Sequence, residues 1–234
     1  MEFFLDTASL EDIKKWEPFG VVQGATTNPT LLSKEGRDPL AQLQAVAAAV
    51  QGPVSAQVTH DTHEKMVRQG RALSQVAKNI VVKLPCNAEG FLAAKELVAE
   101  GVRLNITLTF DPAQAVPFCK LPVTYVSLII GRVEDFGLNS RGFARDLRDV
   151  LDKLKSPTKL LVASIRNPHH LREAILAGAD VITVPPSTWS NLYSHPLTTT
   201  GEEDFFTAWR TLPEPMRKAY EQLGHDAGKL RVER

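Results

Sequence analysis

Eight short apolar runs punctuate the chain, and longer segments with helical spacing separate most of them. The runs are EFFLDT (2–7), GVVQGATT (20–27), PVSAQV (53–58), NIVVKLP (79–85), RLNITLT (103–109), VTYVSLII (123–130), KLLVAS (159–164) and DVITVPP (180–186). Mostly apolar runs of this length read as strands covered on both faces, the mark of a parallel sheet. Parallel neighbours need a crossover, and segments 39–50, 63–78, 88–101 and 168–179 carry apolar residues at helix spacing. Eight such units in 234 residues predict an α/β protein built as a single (β/α)8 TIM barrel. A doubly wound open sheet is the alternative, but no G-x-G-x-x-G follows the first run. Ser9 with Asp12 resembles a capping box, and Gly101 and Gly178 stand where helices should stop.

A barrel of this kind needs one large core, and a chain that is 43% hydrophobic can fill it. The barrel is expected over 1–209. Residues 210–234 are expected to form a C-terminal extension, either a helix on a neighbouring subunit or a frayed end. Lys plus Arg and Asp plus Glu number 27 each, so no net charge argues for a nucleic-acid or membrane partner. No run is long enough to span a bilayer and the N-terminus lacks an apolar leader core, so a cytoplasmic location is expected. Two cysteines, Cys86 and Cys119, and six scattered histidines give no disulfide framework and no metal-ligand spacing. Neither a metal nor a cofactor is expected.

Within this frame Lys83 is the anomaly. It lies near the end of an apolar strand, where an unpaired ammonium costs several kcal/mol. Desolvation also lowers a lysine's pKa and supplies a neutral amine, the form that attacks a carbonyl. Barrel enzymes place their chemistry where strands end. The polar residues collected there are Asp6, Thr26, Thr27 and Asn28, Gln57, Lys83, Asn105 and Thr107, Arg132, and Ser164 with Arg166; the eighth strand ends in the apolar VPP. Each also has a plain structural reading. Asp6 can cap a helix, TTNP can be a turn, Gln57 and Thr107 can be interior polar groups, and the arginines can be surface ion pairs.

Taken together, they suit one chemistry. A lysine imine is an electron sink for breaking a carbon–carbon bond, and Asp6 is the one strand-end carboxylate able to take the hydroxyl proton. A water held by Gln57 and Thr107 can shuttle protons, Asn28 and Asn105 can hold substrate hydroxyls, and Arg132, Arg166 and Ser164 suit a phosphate.

The motifs FLDTA (4–8), GATTNPTLL (24–32), VVKLPCNAEG (81–90), NITLTFDPAQA (105–115), GRVEDFG (131–137), VASIRN (162–167) and HPLTTTGEEDFFTAW (195–209) are similar to those of the transaldolase family, in particular its small members, which include fructose-6-phosphate aldolases. The resemblance implies that Lys83 is the Schiff-base lysine and Asp6 the general acid/base. It implies that Asn28, with Thr26 in the same loop, contacts substrate hydroxyls and that Thr107 helps to hold the water. Arg132 and Ser164, joined by Arg166, would bind phosphate. It further implies sugar phosphates as partners and a ring-built homo-oligomer, a pentamer or decamer.

Two positions depart from the pattern. Gln57 replaces the glutamate usual in transaldolases, as it does in the aldolases, and an amide can only orient a water that a carboxylate could deprotonate. Ile129, in the substrate pocket, replaces the family's strand-six aromatic, so an aldolase-type water loses its phenolic partner. The expected function is therefore a Schiff-base transaldolase, with a fructose-6-phosphate aldolase as the alternative. A sugar-phosphate-binding barrel without turnover is the rival of another class.

Overall fold

The computed structural model describes residues 1–224. The eight runs form β1 (Glu2–Asp6), β2 (Gly24–Thr26), β3 (Val54–Gln57), β4 (Ile80–Pro85), β5 (Leu104–Thr109), β6 (Tyr125–Ile129), β7 (Lys159–Ala163) and β8 (Val181–Val184). They close in chain order into one barrel in which every neighbouring pair is parallel. β8 pairs back onto β1 from Glu2↔Val181 to Leu5↔Val184, which excludes the open-sheet alternative.

The second strand is the shortest, three residues where eight were expected. Gly20, at φ 68°, caps a preceding turn in the left-handed region, and pairing with β1 begins only at Gly24. Gly24 itself is needed: a Cβ there would lie 2.6 Å from Cδ1 of Phe4. The absent side chain gives the Phe4 ring its place inside the barrel. That ring meets Tyr125 edge-on at 6.0 Å, and Val81, Ile129, Leu161, Ala163 and Val181 complete the apolar plug. Burying a large side chain of this kind contributes about 1.5–3 kcal/mol.

The helices are α1 (Leu10–Trp16), α2 (Pro29–Lys34), α3 (Pro39–Ala49), α4 (His63–Ser74), α5 (Ala88–Ala99), α6 (Pro112–Ala115), α7 (Ile130–Asp135), α8 (Phe143–Lys153), α9 (Pro168–Leu176), α10 (Pro186–Tyr193), α11 (Pro196–Thr211) and α12 (Glu214–Glu221). Ser9 caps α1 by accepting from the Asp12 N–H at 3.4 Å. The reciprocal half of a capping box is missing because the Asp12 carboxylate instead accepts from the Thr7 hydroxyl at 2.8 Å. A complete box forms on α6 between Asp111 and Gln114. Gly101 and Gly178 adopt φ of 78° and 79°, the left-handed stops that the sequence marks.

One compact unit covers Met1–Trp189 and contains the barrel; a second begins at Ser190. The boundary drawn at 209/210 falls inside α11. In the second unit Trp209 ties α11 to α12, donating from Nε1 to Glu221 at 3.0 Å and packing against Tyr220. The last part of the expected extension, 225–234, lies outside the described residues. Among the described residues no helix is long and apolar enough to cross a membrane.

Candidate active site

The barrel interior also holds a polar network. Ser127 on β6 donates to Asn105 Oδ1 at 2.6 Å, and Asn105 Nδ2 donates to Ser55 on β3 at 3.1 Å. Asn105 is fully buried, so the residue expected to meet substrate hydroxyls is committed to a cross-barrel brace. Register places Gln57, Lys83 and Asn105 side by side on β3, β4 and β5. The brace therefore sits directly beside the lysine.

Lys83 is 7% exposed, and its Nζ donates to the Thr27 carbonyl at 3.1 Å. Burial lowers its pKa, the Asp6 carboxylate opposes this, and Arg132 adds to it. Burial likewise raises the Asp6 carboxyl above its ordinary value. Lys83, a hydrogen bond from Thr26 and the two arginines Arg132 and Arg166 pull the other way without prevailing. Asp6 keeps some surface open although protein surrounds its carboxyl. It does not cap α1, a role taken by Ser9. The pair is thus biased toward a neutral amine and a protonatable carboxyl, a combination available only in a dry pocket.

Thr26 donates to Asp6 Oδ1 at 2.7 Å, and its own oxygen lies 2.6 Å from the hydroxyl of Thr183 on β8. Thr183 is 1% exposed and is absent from the expected set, because a threonine among valines reads as an ordinary β-branched strand residue. Thr27, the other loop hydroxyl, turns away and donates to the Ser55 carbonyl at 2.8 Å. Asn28 caps α2 by accepting from the Leu31 N–H at 3.0 Å, which uses its oxygen and leaves its amide donors.

Gln57 and Thr107 carry no side-chain hydrogen bond to protein among the described residues, so both are available to a ligand or a water. Thr107 sits where the β5–β6 register slips between Ile106 and Thr109. The next residue, Leu108, has φ 60°, a left-handed conformation uncommon for leucine. A slip of this kind re-aims a strand-end side chain.

Arg132 lies in the last turn of α7, exposed and without a salt bridge among the described residues, and its charge reaches both Asp6 and Lys83. Ser164 follows β7 at φ 62°, a second left-handed non-glycine at a strand end. Arg166 Nε donates to Ser164 Oγ at 3.3 Å, and its NH2 group pairs with Asp135 at 3.0 Å. Gly131 lets these loops touch: a Cβ would stand 2.7 Å from Arg166 Cγ, 2.9 Å from Ser164 Oγ, and closer still to the Ser164 carbonyl. The floor beneath is a relay. The Arg166 N–H donates to His170 Nδ1 at 3.3 Å, which leaves Nε2 as the donor to Glu134 at 2.8 Å, and Ser140 donates to the other oxygen of Glu134 at 2.9 Å. Ile129, 8% exposed, packs into the apolar plug, and Phe110 leans on the same cluster from the end of β5.

The arrangement gathers a desolvated amine, a carboxyl held by one threonine, and two arginines whose charge reaches that carboxyl. It can add an amine to a carbonyl, move one proton and hold an anion.

The family described as Transaldolase/Fructose-6-phosphate aldolase matches residues 3–231. The "Probable transaldolase" of Lactiplantibacillus plantarum is 45% identical over 210 residues, 90% of this chain and 97% of that protein. The "Probable transaldolase" of Maridesulfovibrio salexigens is 44% identical over 212 residues, 91% of this chain and 99% of its own. The crystal structure of "a putative phosphonomutase from Burkholderia cenocepacia J2315" superposes with a TM-score of 0.54 at 15% identity, covering 86% of this chain and 92% of that one. That likeness concerns the barrel fold alone.

Proposed function

We propose, for a chain that belongs to the transaldolase/fructose-6-phosphate aldolase family and is an enzyme of that type, that it moves a dihydroxyacetone unit between sugar phosphates through an imine on Lys83. The neutral amine adds to the ketose carbonyl, and the carbinolamine loses water to give the imine. Gln57 and Thr107 are the groups free to hold that water. Asp6 takes the proton of the hydroxyl on the far carbon of the bond to be cleaved. The carbon–carbon bond breaks toward the imine, which becomes an enamine, and an aldose phosphate departs. The enamine then attacks the aldehyde carbon of an acceptor, Asp6 returns the proton, and hydrolysis frees the new ketose. Arg132, Ser164 and Arg166 hold the phosphate of the donor and then that of the acceptor, and Asn28 offers its amide to substrate hydroxyls.

The observation that carries this reading is the burial of Lys83 and Asp6 in one pocket under the charge of two arginines. Structural ion pairs are seldom built so dry. Gln57 favours a second reading: an amide beside the lysine can present water to the enamine side and release free dihydroxyacetone, as an aldolase does. Loss of an aromatic at Ile129 weighs against it.

Two assays test the proposal. Borohydride in the presence of fructose 6-phosphate should fix a covalent adduct on the wild-type chain and none on Lys83→Ala. An equal yield from both, or no adduct at all, would leave a barrel that only binds sugar phosphates. Fructose 6-phosphate with and without erythrose 4-phosphate separates transfer from cleavage. Free dihydroxyacetone formed without acceptor, at the rate seen with it, would establish the aldolase.

A further inference from the structure

Thr183 lies on β8, paired with Phe4 of β1, and Thr26 lies on β2, so the two threonines flank the strand that carries Asp6. Alternate strands contribute to the same interior layer of a barrel, which is why their hydroxyls can meet at 2.6 Å. A hydroxyl has one proton and two lone pairs. Thr183 makes no other hydrogen bond among the described residues and is sealed from solvent, so its proton points at Thr26. The oxygen of Thr26 is then an acceptor, and its single proton points at Asp6 Oδ1 at 2.7 Å. The direction of the chain is fixed from its buried end.

We propose that Thr183 is a positioning residue which, acting through Thr26, reserves Oδ1 of Asp6 as a permanent acceptor and so leaves Oδ2 as the oxygen that takes and returns the proton. Reversal would require Thr183 to donate elsewhere, and Val181, Ile182 and Val184, its neighbours in β8, offer no side-chain acceptor. The inference rests on Asp6 being the acid/base group of the proposed reaction. It adds that Asp6 works with one assigned oxygen, oriented from the far side of its own strand.

The test uses the full-length protein with Thr183→Val, which keeps the shape and removes the hydroxyl, and Thr183→Ser, which keeps the hydroxyl. Three readouts are taken: the borohydride adduct on Lys83, the pH profile of turnover, and the titration of Asp6 followed by NMR with 13C-labelled aspartate, assigned with Asp6→Asn. With the chain broken, Thr26 is free to rotate away. Thr183→Val should then form the adduct at the wild-type level, turn over about tenfold more slowly, and move both the acid limb of its profile and the Asp6 titration upward by about one pH unit, the size expected for a weakened hydrogen bond to a charged group. Thr183→Ser should restore all three. A Thr183→Val protein with wild-type Asp6 titration, or a Thr183→Ser protein as impaired as Thr183→Val, would overturn the relay. A wild-type chain without an adduct but with a Thr183-dependent Asp6 titration would overturn the imine reaction and leave the relay standing.

Discussion

Gly131→Ala offers a measurable separation between the two halves of the site. The added Cβ would meet Arg166 Cγ at 2.7 Å, Ser164 Oγ at 2.9 Å and, nearest of all, the Ser164 carbonyl, where ordinary contact begins near 3.4 Å. Arg166 is the far end of nothing rigid and can swing, but a backbone carbonyl cannot. The start of α7 and the end of β7 must therefore part, by a displacement on the order of 1 Å, and misplacement of that size can cost about a hundredfold in rate. Overpacking of this kind destabilises by about 1–3 kcal/mol. For a chain of this length that corresponds to a fall in Tm of about 2–12 °C. Arg132 rides on α7, while Ser164 and Arg166 follow β7, so the loss should fall on the anion grip. Lys83 on β4 and Asp6 on β1 are on other strands and should keep their places. The assay compares kcat/KM for fructose 6-phosphate and for unphosphorylated fructose. A drop of about 10- to 100-fold confined to the phosphorylated donor, with the borohydride adduct still formed, is the expected result. Equal losses on both donors would refute the reasoning, because the strain would then have reached the lysine and the carboxyl.

Three further outcomes are expected. Asn105→Ala removes the group that braces Ser127 to Ser55 inside the barrel. Two buried hydroxyls lose their partner, and a stability loss of about 2–5 kcal/mol should appear in urea titration with an unchanged m-value. At Glu134, burial alone would raise the carboxyl, but hydrogen bonds from His170 and Ser140 outweigh it and hold the group below its ordinary value. A depressed carboxyl stabilises fully above its unfolded value of 4.5 and loses that contribution as pH falls through the lower folded value. Glu134→Gln should therefore lower Tm at pH 7 and show a shallower further fall between pH 5 and 3 than the wild type, as read by calorimetry. Finally, the second unit exposes Leu197, Phe205 and Phe206 on α11. Sedimentation equilibrium should find a ring-sized homo-oligomer, and a monomer at micromolar concentration would end that expectation.

The strands were legible because each is a nearly continuous apolar run, and a parallel barrel is the arrangement that covers such runs on both faces. Their ends were less so. Nothing in VVQ announces that residues 21–23 stay out of the sheet, since β-branched residues satisfy the strand pattern whether or not a partner lies alongside. Lys83 stood out because charge and apolar context conflict within a few residues of sequence. Thr183 did not, because its importance comes from a residue 157 positions away. Asn105 was legible as an inward-facing amide in register with Lys83, but its brace to Ser55 and Ser127 joins strands that only the closed barrel brings together. The left-handed Leu108 and Ser164 carry no glycine or asparagine to mark them.

On the proposed route, the same burial that makes Lys83 a nucleophile gives Asp6 its timing. Before reaction both groups are penalised for carrying charge, so the amine is free to attack and the carboxyl is held up toward its protonated form. On the proposed route, imine formation changes that balance without any movement of the chain. A protonated imine is a cation, and it stands where the neutral amine stood. A fixed opposite charge at such range lowers a carboxyl by about one to three pH units. Asp6 would therefore become a base only after the electron sink is in place, which is when a hydroxyl proton has to be taken. Arg132 and Arg166 already favour the ionised carboxyl, and once their charge is spent on a substrate phosphate the imine is the cation left to do so. The hydrogen bond from Thr26 acts in the same direction at every stage and confines the exchange to one oxygen. Without the neighbouring lysine the carboxyl would have no such trigger. On the proposed route the burial around residue 83 thus governs the chemistry on both sides of the pocket.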